Sequence, residues 1–133
     1  MTHTAKGTFS VQMNAEPPYE VVEGVSLGRV SLSKKFEGEL SATSTVQMIG
    51  ARGEVPSSAG YVAIERVTGS LAGRTGTFVL QHSGTMTRGA GKLEVTVVPD
   101  TGTGELRGLA GKMGIEIVEG KHYYTLDYEL EAS

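Results

Sequence analysis

The sequence contains no cysteine. A disulfide framework is therefore excluded, together with thiolate chemistry and any zinc site built on sulfur. Nor does it concentrate charge of one sign: Lys+Arg number 12 against Asp+Glu 15, a net charge of −3, with the basic residues dispersed. A basic patch for nucleic acid or for an anionic membrane is accordingly not expected. No apolar run approaches the roughly 20 residues of a spanning helix. The opening MTHTAKGTFSVQ has neither an apolar signal core nor a twin-arginine, so a cytoplasmic location is the expectation. Sustained 3.6-residue apolar periodicity is scarce as well, which argues against a helical fold.

What is present is glycine, 19 residues in 133, placed as punctuation between short runs in which apolar and polar residues alternate. With 38% hydrophobic residues the chain has enough apolar mass for one core, and residues 1–133 are expected to form a single domain. The alternating runs are 7–14, 27–37, 39–49, 60–72, 77–87, 92–99, 103–107, 112–118 and 122–131. They predict an all-β fold of eight or nine strands with one apolar and one wet face. AEPPYEVVEG and GARGEVPSSAG between runs read as loops, because a Pro-Pro pair cannot lie in a central strand.

Two segments repeat. GSLAGRTGTFVL from Gly69 and GELRGLAGKMGI from Gly104 share G-x-L-x-G-x-x-G-x-(F/M)-x-(L/I), and each reads as strand, Gly-bounded turn, strand. Two such hairpins in a meander suit a small closed, up-and-down antiparallel β-barrel of about eight strands, which leaves no exposed edge. If Gly73 pairs with Gly76, then Leu71 faces Phe78, Gly69 faces Leu80 and Val67 faces His82, all on one face. The repeat equates His82 with Ile117, an apolar position. Stepping back from Val67 by two places Glu65, Ala63 and Tyr61 on that same face, with Glu65 diagonal to His82 and within its reach. Alternation through Val30, Leu32, Lys34 and Phe36 turns Lys34 inward too, where the ordinary outcome is a long stem reaching for the barrel mouth. Gln81 and Arg66 are expected outside. Outward Val62, Ile64 and Val79 beside Arg66 suggest an apolar contact face for a homo-oligomer.

Motifs for other chemistry fail on inspection. MTRGAGKL and LRGLAGKM lack both the first glycine of a phosphate-binding loop and the Ser or Thr that follows its lysine. His3, His82 and His122 have no short ligand spacing, so neither a metal nor a cofactor is expected. Ser83 points away from His82, and no nucleophile elbow is present. The Glu65–His82 pair is the constellation with chemical content. A carboxylate raises an imidazole pKa while burial lowers it, so such a pair can exchange a proton near neutrality, or can serve only to fix strand register. Its expected surroundings are Tyr61, Lys34, Phe78, Leu80, Tyr124 and Tyr128.

The words IERV (64–67), GRTGTFVLQHSGTM (73–86), VVPDTGTGELRGLAG (97–111), HYYTLDYEL (122–130) and VSLSKKFEGEL (30–40) carry a resemblance that extends over nearly the whole chain. They resemble a bacterial domain-of-unknown-function family, number 3224 in its series, which has no established activity. The resemblance implies a barrel like that of allene oxide cyclase, with a central cavity, in a superfamily whose members often form oligomers. Barrels of that shape include plant isomerases acting on a fatty-acid epoxide and bacterial polyketide cyclases. No motif of theirs occurs here, so none of their functional residues carries over, and fold likeness alone does not assign chemistry.

Three functions follow as expectations. The first is binding of a small, mainly apolar molecule inside the barrel, with Glu65 and His82 as polar contacts. The second is an isomerase or cyclase in which His82 or Glu65 moves a proton. The third is a barrel filled by its own side chains, structural or partner-binding, with no cavity.

Overall fold

The structure, a computed structural model, describes residues 2–130. Its strands are β1 (His3–Ala15), β2 (Glu20–Val22), β3 (Val25–Gly38), β4 (Leu40–Arg52), β5 (Ala59–Leu71), β6 (Arg74–Thr87), β7 (Ala90–Val97), β8 (Ala110–Val118) and β9 (Lys121–Glu129). Neighbours in sequence pair antiparallel from β3 to β9, and β1 closes the sheet by pairing with both β9 and β3. The result is a closed eight-stranded barrel, with β2 set beside the start of β3. The run expected at 122–131 is β9, its last residue lying outside those described. Among the described residues no helix is long and apolar enough to cross a membrane.

β2 did not declare itself in the sequence because it is three exposed residues long. It continues the path of β1 along β3. Glu16 N–H bonds the Arg29 carbonyl and Tyr19 N–H the Leu27 carbonyl, so the ladder resumes on either side of Pro17 and Pro18, which have no N–H to give.

The hairpin register differs from the expected one. Gly69 pairs with Gly76, Leu71 with Arg74, Val67 with Phe78 and Ala63 with His82. The turn is Ala72-Gly73, with φ of 49° and 84°, rather than Arg74-Thr75. Both loop positions of this tight turn need positive φ, and Gly73 meets that need without strain at the second of them. Because the shift is an even number of residues, every side chain keeps its expected face.

The second copy of the repeat is not a hairpin. The run expected as a strand at 103–107 holds a 3₁₀ turn, Gly104–Leu106, within the connection from β7 to β8. Leu106 N–H bonds Thr103, Arg107 N–H bonds Gly104 and Leu109 N–H bonds Leu106, each to the carbonyl. Leu106 ends the turn and Leu109 follows it after an extended Arg107 and a Gly108 with φ of 85°, and both leucines are buried. In the first copy the position of Leu109 is held by Arg74, so no such apolar pair exists there. Ile117, expected as the apolar counterpart of His82, stays in line with Met113 and Ile115 but is 62% exposed.

The two ends of the barrel differ. At one end Phe36, Leu40, Leu71, Phe78, Leu106 and Leu126 pack into a single apolar cluster. At the other, the inward positions Met13, Met86, Leu93 and Ile117 are between 43% and 63% exposed. β7 meets β8 through one bridge, Thr96 with Lys112, whereas the other seams of the barrel are laddered. Outside, Gln81 and Arg66 are exposed as expected. So are Val62 and Ile64, with Ile49 opposite Val62 and a half-buried Val79 opposite Arg66.

Candidate functional site

Successive cross-strand rows on the inner face explain which groups meet. Glu65 lies in a row with Leu32, Val46 and Leu80; His82 lies in the next row toward the open end, with Val30, Met48 and Ala63. Lys34 lies one row toward the packed end, opposite Ser44. Glu65 is thus diagonal to His82 on one side and to Ser44 on the other, while Lys34 crosses over β4 to reach it.

The contacts are short. His82 Nε2 is 2.7 Å from Glu65 Oε1, Lys34 Nζ is 3.1 Å from the same oxygen, and Ser44 Oγ donates to Oε2 at 2.5 Å. Glu65 is fully buried, His82 is 4% exposed and the Lys34 side chain 8%. The lysine does not snorkel to the mouth: its ammonium sits 4.9 Å from the Phe9 ring centre and 5.9 Å from that of Phe36, within cation–π range.

Burial is the largest influence on the Glu65 carboxyl and pushes its pKa up. The His82 hydrogen bond, the Lys34 charge and the Ser44 hydrogen bond together outweigh it, so Glu65 titrates below the ordinary carboxylate value. An ionised Glu65 accepts only, so His82 Nε2 must carry the proton between them. Nδ1 makes no hydrogen bond among the described residues, yet no fully buried side-chain polar atom is left unpartnered. Nδ1 is therefore not sealed off, and because His82 faces inward, it is reached from inside the barrel. Tyr61, two residues beyond Ala63 on the same face, has its hydroxyl pKa raised by burial first and by the Glu65 charge second.

Of the residues expected around the pair, Leu80 stands directly opposite Glu65, while Phe78, Tyr124 and Tyr128 lie farther along in the packed core. Tyr124 has a structural duty there. Its hydroxyl accepts from Leu40 N–H at 2.9 Å and faces the Glu37 carbonyl at 3.0 Å as donor. Ser44 was not anticipated, although the sequence signals it as it signals His82: a polar residue within the inward series Leu40, Ala42, Ser44, Val46.

Two hollows flank this wall. One of about 620 Å³ is framed by Lys35, Thr43, Thr45, Arg66 and Thr68, which alternate outward, and is bordered by Lys34 and Ser44 of the cluster. Another, of about 310 Å³, lies on the inner face toward the open end and is lined by Gly28, Val30, Met48, Gly50, Arg52 and Tyr61.

A small, closed antiparallel barrel with a buried ionic cluster on its inner wall defines the class. The chain belongs to the family described as protein of unknown function DUF3224, whose model matches residues 5–128. It is similar to a protein with unknown function from that family from Shewanella oneidensis MR-1, known from a crystal structure at 1.84 Å. The two share 47% identity over 99% of this chain and 100% of that one, with a TM-score of 0.93. No curated protein matches.

Proposed function

We propose that this protein binds a small, mainly apolar molecule at the open end of its barrel, with His82, held by Glu65, as the polar contact. One observation carries the reading: Lys34, Glu65 and His82 are gathered on the inner wall with a histidine nitrogen left unpartnered. Buried ion pairs rarely repay their desolvation, and apolar residues of similar volume would hold strand register at least as well. The packed end is what a purely structural barrel would have throughout. A costly polar cluster beside exposed inward-facing Met13, Leu93 and Ile117 is what such a barrel does not need. Likeness to allene oxide cyclase-type barrels, cytoplasmic location and self-association through Val62 and Ile64 belong to the same proposal.

A second reading, proton transfer in an isomerase or cyclase, draws support from the same geometry. With Nε2–H donated to Glu65, a neutral His82 presents the Nδ1 lone pair as a base and, once protonated, an acid. Native mass spectrometry of freshly purified protein tests the first reading and reports subunit number as well. A carried small molecule that disappears in His82→Ala and Glu65→Ala supports it, and retention in both variants removes the site assignment. Incubating the released molecule with protein in heavy water separates the two readings, since only proton transfer places deuterium on carbon.

A further inference from the structure

The inner face near the open end is short of side-chain volume in one place. A single cross-strand row there reads Gly28, Gly50, Tyr61, Gly84 and Leu93 across β3 to β7. β1 pairs with β3 only as far as Ala15 opposite Val30, so this row stands on a lip that projects past β1. A Cβ built on Gly28 would meet nothing within 4 Å. That missing volume is part of the hollow of about 310 Å³, near the lower end of what small-molecule sites occupy.

The row also holds an aromatic ring. A Cβ on Gly84 would fall 2.5 Å from Cε1 of Tyr61, so the tyrosine ring lies across β6 where a side chain would otherwise stand. Gly84 and His82 are two apart on one strand and share a face, about 7 Å from each other along it. The ring of Tyr61 therefore lies over β6 next to His82, at the edge of the hollow that Tyr61 also lines.

The charges beneath are already matched. Glu65 takes Lys34, Ser44 and His82, so the cluster itself offers no counter-charge to a ligand ion, and the cation that lines the hollow, Arg52, stands two rows from His82 toward the mouth. A carboxylate brought to His82 would face Glu65 behind the ring, and an ammonium would face Lys34. With His82 neutral, either would be a buried charge without an opposite charge beside it, whereas a hydroxyl or an amide needs only one hydrogen bond.

Resting on the binding function proposed above, we infer that the glycine-lined hollow seats the apolar body of the ligand and that the cluster selects an uncharged hydrogen-bonding end group for His82 Nδ1. The probes are four molecules of one chain length: 1-octanol, octanamide, octanoate and octylammonium. Each is titrated into the full chain near neutral pH, with affinity read by calorimetry and location by backbone amide shifts. The neutral pair should bind at least about tenfold more tightly than either ion, about 1.4 kcal/mol. Shifts should centre on Gly28, Gly50, Gly84 and His82. Gly28→Leu, which puts a side chain into free space on a strand, should lose at least about tenfold in octanol affinity with an unchanged circular dichroism spectrum. Gly28→Val serves the same purpose if the leucine variant does not fold.

Equal binding of an ion, shifts centred elsewhere or an unaffected Gly28 variant would overturn this inference and leave the binding function standing. Silence from all four probes also overturns it. The binding function then depends on the native mass spectrum alone.

Discussion

Glu65 is charged inside the barrel because three donors converge on it, and removing the charge should be felt in a defined pH window. Its folded pKa lies below the unfolded value near 4.5, so its stabilising contribution is present above that value and lost as pH falls through the folded one. Urea midpoints measured from neutral pH downward should drop on the acid side in the natural protein. Glu65→Gln should lower the neutral-pH stability by about 3 kcal/mol, because Lys34 loses its buried partner, and should flatten the acid limb. Parallel acid limbs in the two proteins would refute the assignment. Tyr124→Phe is a second case at this scale. It leaves the buried Leu40 N–H without an acceptor and should cost about 1–3 kcal/mol, read as a lower urea midpoint. The pairing of His82 with Glu65 was legible in the sequence because face depends only on parity along a strand. The arrival of Lys34 was not, because it depends on how far one side chain reaches across an intervening strand. Nor could the sequence separate residues that pack, such as Phe78 and Tyr124, from residues that line a hollow: alternation gives the face but not the height within the barrel.

At the scale of elements, four tight turns share one form: Glu23-Gly24, Ala72-Gly73, Arg88-Gly89 and Glu119-Gly120, each with both φ values positive. The first position carries a side chain in the left-handed region, which costs about 1–2 kcal/mol for an L-residue. Ala72→Gly should therefore raise the urea midpoint by an amount equivalent to about 0.5–1 kcal/mol, net of the entropy glycine loses on folding. No change, or a loss, would mean that the unfolded chain decides the balance. The same turns explain why most strands could be read directly: X-Gly between two alternating runs is a hairpin signal with a steric cause. The glycine repeat misled because spacing alone was matched. Leu109 in place of Arg74 gives the second copy two apolar residues three apart, and burying both, Leu106 at the end of the 3₁₀ turn and Leu109 just after it, competes successfully with a second hairpin.

At the scale of the whole molecule, the barrel is unevenly fastened. One bridge joins β7 to β8, toward the packed end, and the seam from there to the end where inward side chains are exposed has none. Hydrogen exchange should accordingly release segments 90–95 and 114–118 well before 78–82 and 124–128, since local opening follows the sparsest contacts. Uniform protection around the barrel would show that the seam is as firm as the rest. The seam at β1 has a different consequence, one of timing. His3 pairs with Tyr128, so the strand made first waits for the strand made last. At about 5–20 residues per second a nascent chain would carry a bare β1 edge, and an apolar lining still open beside it, for several seconds before β9 could arrive. Each copy therefore passes through an interval, set by the ribosome rather than by its own folding rate, in which a neighbouring copy or a chaperone has the first opportunity to occupy that edge.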